Sequence, residues 1–208
     1  MLSPDLILNA YAQGVFPMAE SRDAADVFWV SPERRGLFPI GGFHISRSLA
    51  RSLRSGRFSA TFDRDFLGVV TGCADRAETW INPPILSVYR ALHARGEAHS
   101  VEVWAKDRLV GGVFGIRIGA AFFGESMFSR ETDASKVALA VLHDRLVQGG
   151  FRLFDTQFLT PHLASLGAIE VPRGVYLRQL AQAVQAQARF TTEPADLYGV
   201  AQRNGQTS

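Results

Sequence analysis

The sequence predicts an α+β fold, with a small N-terminal α/β domain packed on a larger C-terminal domain. Three observations carry this expectation. Helix start and stop signals recur through the first half of the chain. The apolar period then switches from helical to alternating at His99. A helical period returns near Asp133 and gives way to one more apolar strand at Phe151. The 208 residues suffice for one large domain or two small ones sharing a core. The division is placed between residues 1–58 and 59–208.

Each element has a local reason. Ser3-Pro4 reads as N-cap and first turn of a helix holding Leu6, Leu8 and Tyr11, with Gly14 past its end. The stretch from Val15 to Gly42 is rich in Pro, Gly and aromatics and reads as irregular structure with short strands. A second helix follows Ser46, a third covers about Asp65 to Cys73, and a fourth runs from Pro83 to Gly96. Val101 and Val103 alternate with Glu102 and Trp104, which is a strand. After a turn at Lys106-Asp107-Arg108, Leu109 to Ile118 and Ala120 to Gly124 complete a three-stranded meander. A helix from Asp133 to Gly149-Gly150 buries Leu139, Leu142 and Leu146, and the strand Phe151 to Phe158 follows. Thr160-Pro161 opens a short helix, and Arg173 to about Ala188 forms a last one. The polar stretch from about 191 is expected to fray. Meander, helix and strand in this order form the core layout of N-acetyltransferase-like (GNAT-like) folds, an analogy of fold alone.

Composition narrows the classes. Hydrophobic residues make up 47% and charged residues 20%. No apolar run approaches the roughly 18 residues of a spanning helix, and the N-terminus lacks a signal-peptide pattern. The single cysteine, Cys73, excludes an intrachain disulfide and a multi-cysteine metal site. A cytoplasmic protein is expected. Net charge is only +2, yet of 22 basic residues only Lys106 and Lys136 are lysine. Arginine forks suit phosphates, but codon bias in a GC-rich genome is an equal explanation.

Three segments hold candidate chemistry. In Phe151–Phe158, alternation puts Asp155 and Gln157 on one face and Phe154 and Thr156 on the other. Either the strand end emerges into solvent, or Asp155 fixes Gln157 and Gln157 holds a reacting amine. Glu125 follows an apolar strand and Gly124, with Met127 and Phe128 beside it. That is a turn residue, or a carboxylate at the mouth of an apolar pocket. On the second helix Arg47, Arg51 and Arg54 share a face opposite Ile45, Leu49 and Leu53, and Arg57 follows. A face of like charges destabilises a helix slightly and suggests an anionic partner, the plainer reading being a solvated face. No P-loop, dinucleotide fingerprint or G-x-S-x-G elbow occurs. His44, His93, His99, His143 and His162 are scattered and read as satisfied or surface residues.

Collinear motifs then identify a resemblance. Tyr11-Ala12-Gln13-Gly14-Val15-Phe16-Pro17, Trp29-Val30-Ser31-Pro32, His44-Ile45-Ser46-Arg47-Ser48 and Thr79-Trp80-Ile81 lie in the first half. His99-Ser100-Val101-Glu102-Val103-Trp104, Gly124-Glu125-Ser126-Met127-Phe128-Ser129-Arg130 and Ala164-Ser165-Leu166-Gly167-Ala168 follow. Together they resemble the leucyl/phenylalanyl-tRNA–protein transferase family over nearly the whole chain. The resemblance implies transfer of Leu or Phe from aminoacyl-tRNA to proteins with N-terminal Arg or Lys, marking them for N-end-rule degradation. It implies an acetyltransferase-like catalytic domain, no cofactor, no metal, and a monomer. Catalytic roles fall by resemblance on Glu125, Asp155 and Gln157, and the aminoacyl pocket on Val113, Met127, Leu142, Leu146 and Phe154, with Gly124 leaving room. Adenosine stacking falls on Trp80. Met18 stands where some members carry Trp, replacing a stacked ring with a sulfur contact. The chain also begins later than longer members.

Two rivals remain. An acetyl-CoA N-acetyltransferase would carry a glycine-rich loop before the helix at Asp133, where this chain reads Ser129-Arg130-Glu131-Thr132-Asp133-Ala134. A non-catalytic tRNA-binding module would explain the arginine face but not the pocket.

Overall fold

The computed structural model describes residues 2–24 and 26–204. In chain order its elements are α1 (Pro4–Ala12), β1 (Phe16–Met18), β2 (Phe28–Val30), β3 (Arg34–Phe38), α2 (Arg47–Arg54), β4 (Ser59–Phe62) and α3 (Phe66–Ala74). Then come α4 (Pro83–Ala94), β5 (Ala98–Ala105), β6 (Arg108–Ile118), β7 (Ala121–Ser129), α5 (Ala134–Gln148) and β8 (Leu153–Gln157). The last are α6 (Pro161–Ser165), β9 (Ile169–Pro172), α7 (Arg173–Gln185) and α8 (Leu197–Asn204).

Capping side chains set most helix starts. Ser3, Ser46, Asp65, Asn82 and Thr160 each accept a first-turn amide of the helix they precede. Asp133 is different: it is left-handed (φ 70°) and makes no such cap bond. Its carboxylate accepts instead from Ser52 at 2.8 Å and Lys136 at 3.0 Å, tying α5 to α2.

Seven strands form one mixed sheet in the order β4-β5-β6-β7-β8-β3-β9. Only the β7–β8 pair is parallel; the other neighbours are antiparallel. β1 and β2 pair separately. The period of two sorts the side chains into two cores. Val113, Phe122 and Phe154 join α2, α5 and α8 in one cluster. Phe114, Phe123 and Leu153 join α1, α3, α4 and α7 in the other. Helices thus cover both faces of the sheet.

Besides β4 and β9, to which the sequence reading assigns no element, three outcomes differ from it. β7 runs on to Ser129 rather than ending at Gly124. The polar residues beyond Gly124 interrupt the apolar pattern, but the ladder with β6 continues through Ser126↔Phe114 and Met127↔Val113. β3, from the irregular N-terminal stretch, lies inside the main sheet between β8 and β9. The stretch from 191, expected to fray, folds into α8 as far as Asn204, with Leu197, Val200 and Ala201 buried. Arg203 there makes two bonds to Asp144, at 2.8 and 2.9 Å. Residues 205–208 of that expected tail lie outside the described residues.

Candidate active site

The β7–β8 ladder stops at Phe123↔Asp155. Beyond it the two strand ends separate, and a pocket of about 80 Å³ opens there. Val113, Gly124, Met127 and Phe154, all anticipated from the sequence, line it together with Leu139, Thr156 and Leu163. Gly124 matters for its lack of a side chain: a Cβ there would lie 3.2 Å from the Phe154 ring. Leu142 and Leu146 do not line this pocket. They are buried in the core cluster further along α5, and Leu139, one turn earlier, takes the position facing the cavity.

Glu125 also lines the pocket, buried to 8% exposure. Its Oε2 accepts from the Tyr89 hydroxyl at 2.9 Å and from Gln157 Nε2 at 3.1 Å. The Tyr11 hydroxyl faces the same carboxylate without a hydrogen bond of ordinary length, and Glu125 Oε1 makes none either. Burial pushes the Glu125 carboxyl up to about 7, against the partial relief of these donors. Both phenols are pushed far above their ordinary range by burial and by the carboxylate, so they stay protonated donors. The cluster accordingly sets the Gln157 amide against a buried carboxyl, whose Oε1 has no hydrogen-bond partner among the described residues and whose charge changes near neutrality.

Asp155 is fully buried and does not face the pocket. Arg35 grips it with three bonds of 2.7–3.1 Å, and Tyr176 donates to it at 2.7 Å. The Arg35 guanidinium, itself 1% exposed, also donates to the Gly14 carbonyl and lies 4.6 Å from the Phe16 ring and 4.5 Å from that of Tyr176. A buried charge is tolerable only when paired and fully bonded in this way. Asp155 in turn accepts the Gln157 backbone amide at 2.7 Å. Gln157 sits at φ 64°, a left-handed conformation that strains a residue with a Cβ by roughly 1 kcal/mol. The sequence reading had Asp155 fixing Gln157. It does so through the backbone, while the Gln157 side chain is oriented by Glu125. Gly36, paired with Gln157 across β3–β8, allows the close approach: a Cβ on it would meet the Phe158 carbonyl carbon at 2.7 Å.

Trp80 is half-buried, edge-on to Tyr89 with ring centroids 6.3 Å apart. Met18 ends β1 and is likewise half-buried, opposite the exposed Phe28 of β2. Sequence reasoning missed Arg35, Tyr89 and Tyr176 as site residues. Tyr11 was read only as a helix and motif residue. Arg35 sits in an Arg-Arg pair that composition makes unremarkable, and the tyrosines sit at ordinary core spacing on their helices. Only the partners they find across the fold mark them.

The arginine face is exposed on α2 as expected. Arg54 lies 5.8 Å over the Tyr198 ring, and Arg57 is taken up by Glu131 at 2.5 Å and by the Phe58 ring at 4.6 Å. Glu131 also binds Arg108, so the turn before α5 is filled by the chain's own carboxylates. No group of His, Cys, Asp or Glu that could hold a metal ion occurs among the described residues. No described helix is long and apolar enough to cross a membrane.

Comparison with known proteins places the whole chain. Residues 1–33 match the Leucyl/phenylalanyl-tRNA protein transferase N-terminal domain, and residues 37–181 match the family described as Leucyl/phenylalanyl-tRNA protein transferase. A relative of that name from Ruegeria pomeroyi is 61% identical over 208 residues, covering 100% of this chain and 99% of the relative. One from Cereibacter sphaeroides is 61% identical over 209 aligned residues, with 100% and 98% covered. One from Roseobacter denitrificans is 60% identical over 193, with 93% and 92% covered. Identity this high along both chains leaves one assignment: the chain belongs to the leucyl/phenylalanyl-tRNA–protein transferase family.

Proposed function

We propose that the protein transfers Leu or Phe from aminoacyl-tRNA to the N-terminal amine of proteins beginning with Arg or Lys, in the cytoplasm. The observation that carries this reading, within such a family, is the Glu125–Gln157–Tyr89 cluster at an apolar pocket. The acetyltransferase-like character of the domain is part of the same proposal. The antiparallel β5–β6–β7 meander, followed by α5 and the parallel strand β8, supports it.

The reaction is aminolysis of an ester. The acceptor's α-amine attacks the aminoacyl carbonyl, a tetrahedral intermediate forms, and the ribose 3′-oxygen leaves with a proton. The ester is already activated, so alignment supplies much of the rate, up to roughly 7–11 kcal/mol in favourable cases. The attacking amine must be neutral, and its ordinary pKa is about 7.7–8.0. In this reading Gln157 accepts a hydrogen bond from the amine through its carbonyl oxygen. Glu125 fixes the Gln157 amide by accepting from Nε2, attracts the acceptor's positive charge, and takes the amine's proton and passes it to the departing 3′-oxygen. Asp155 positions Gln157 and touches no substrate.

Acetyl-CoA chemistry is disfavoured at the start of α5. That turn lacks glycine and carries Glu131 and Asp133, both held in internal bonds. A pyrophosphate there would meet carboxylates instead of free amides. Incubation with labelled Leu-tRNA and an Arg-N-terminal peptide, beside a parallel tube with acetyl-CoA, tests the reading. Label should enter the peptide only from the tRNA. Acetylation without aminoacyl transfer would overturn it.

The pocket should favour Leu and Phe over Val and Ile. It is apolar apart from Thr156, Ser126 and Glu125, and a missing methylene costs only about 1–3 kcal/mol. Discrimination against Val-tRNA should therefore be partial, about tenfold to a few hundredfold in kcat/KM. Equal use of Val-tRNA or Asp-tRNA would remove the pocket assignment.

The α2 arginines are proposed to meet tRNA phosphates. Replacing Arg47, Arg51 and Arg54 with Ala should raise KM for charged tRNA and flatten its salt dependence by about 0.9 in slope per lost duplex phosphate contact. An aminoacyl-adenosine donor should be far less affected. An unchanged salt slope would return these residues to a solvated face.

A further inference from the structure

Met127 lines two cavities. On one side lies the 80 Å³ pocket just described. On the other is a larger, open one of about 370 Å³. The proposed chemistry makes no use of the larger cavity, and its wall is mostly basic or hydroxylic: Arg76, Arg130, Ser129, Ser135 and His162, against the single acid Asp75.

The cations are held in place but not consumed. Arg76 donates one N–H to the Met127 carbonyl oxygen, and a guanidinium carries five. Arg130 lies 5.2 Å over the Phe128 ring and reaches Asp75 only at 3.7 Å, with its side chain 51% exposed. The Phe128 ring is itself seated on Gly72, where a Cβ would come within 2.8 Å of it. The ring that carries Arg130 thus depends on a residue without a side chain. His162 Nε2 is buried with no hydrogen-bond partner among the described residues.

We infer that this cavity binds the phosphodiester on the 5′ side of the terminal adenosine of the charged tRNA. The inference rests on the reading that the adjoining pocket takes the aminoacyl group. An aminoacyl ester on the ribose 3′-oxygen stands one sugar away from that nucleotide's 5′-phosphate. The two cavities likewise adjoin, with Met127 in the wall of both. Trp80, proposed for the adenine ring, follows Arg76 by one turn's length of chain. Two guanidinium forks and the Ser135 hydroxyl match a phosphodiester's oxygens, while Ser129 is engaged by the Glu131 carbonyl and the Ser135 amide. Such contacts position a nucleic acid without reading its bases.

Three small donors test this with a fixed Arg-N-terminal peptide: 3′-leucyl adenosine, 3′-leucyl cytidylyl-adenosine, and the same dinucleotide with a neutral methylphosphonate link. The wild-type protein should use the charged dinucleotide about tenfold better, in kcat/KM, than the methylphosphonate. In Arg76→Gln/Arg130→Gln that ratio should fall to near one, and Arg76→Lys/Arg130→Lys should recover part of it. A wild-type ratio near one overturns the inference without any variant. So does an unchanged ratio in the glutamine variant. A variant effect confined to KM for the peptide overturns it too, and assigns the cavity to the acceptor. Transfer from leucyl adenosine with a ratio of one defeats the cavity alone. No transfer from any donor, Leu-tRNA included, defeats the functional reading and the inference with it.

Discussion

Replacing Asp155 with alanine is expected to destabilise the protein by roughly 3–5 kcal/mol and to slow transfer by on the order of a hundredfold. The stability loss follows from what Asp155 leaves behind. Arg35 would be a buried guanidinium without a counter-charge, and the Tyr176 hydroxyl and Gln157 amide would lose their acceptor. For a chain of this size that corresponds to a fall of about 6–20 °C in Tm. The rate loss follows from Gln157, whose left-handed backbone is secured by the same carboxylate. Asp155→Asn keeps the size and one acceptor oxygen but leaves Arg35 unpaired, and should fall between wild type and alanine in stability. Arg35→Ala/Asp155→Ala should be markedly less damaging than the sum of the singles, because each single strands the other's partner. Thermal melts and single-turnover transfer from Leu-tRNA measure both effects. An Asp155→Ala protein at wild-type rate, or an additive double mutant, would remove the Arg35–Asp155 clamp from the account. Gln157→Ala should match the rate loss of Asp155→Ala with much less loss of stability, since it removes a side-chain hydrogen bond to Glu125 and strands no buried charge.

Glu125→Gln is expected to separate stability from activity in the opposite direction. Burial raises the Glu125 carboxyl from an ordinary 4.5 to about 7. A folded-state value above the unfolded one means a contribution that is whole below about 4.5 and is lost as pH rises through about 7. At pH 8 the wild type therefore carries the cost of a buried carboxylate, at most roughly 3 kcal/mol at 1.36 kcal/mol per unit. Glutamine has the same shape, still accepts from Tyr89, and never ionises. Its stability should vary less than wild type between pH 4.5 and 7 and should equal or exceed wild type at pH 8. Transfer should nevertheless drop by on the order of a hundredfold or more. Wild-type kcat/KM for the peptide should begin to rise with pH through about 7 as the carboxylate forms, and in the variant only the rise from the acceptor amine's own ionisation, about 7.7–8.0, should remain. Urea midpoints across pH and the matching rate profile check both halves. A Glu125→Gln protein that is active with an unchanged pH profile would move the proton acceptor elsewhere.

Much of the framework was legible because local rules decide it. Ser3, Ser46, Asp65, Asn82 and Thr160 begin their helices whatever surrounds them, and the alternation in Val101–Trp104 needs no partner to read as a strand. The candidate pocket was legible in part. Val113, Gly124, Met127 and Phe154 line the cavity, whereas Leu142 and Leu146 lie about one and two turns beyond Leu139 along α5. A helical stripe shows which face is buried but not which turn borders a cavity. β4, β9 and α8 were missed because each is short and half-exposed, and its order comes from neighbours distant in sequence. Arg35 was missed for a related reason. Nothing within several residues of it announces burial, and the carboxylate that makes burial possible is 120 positions away.

That separation has a consequence for how the molecule comes into being. The β5–β6–β7 meander closes through neighbours in sequence and can condense early, whereas β3 needs β8 on one edge and β9 on the other. Pairings of such high contact order are slow, since a long loop must be closed before any contact rewards it. During synthesis the first 38 residues emerge long before Ile169–Pro172, which completes their berth in the sheet. Arg35 lacks its counter-charge until Asp155 of β8 has followed it. Its burial and the alignment of Gln157 belong to one late event, so a nascent or partly folded chain has the strands of the catalytic region without the geometry to use them.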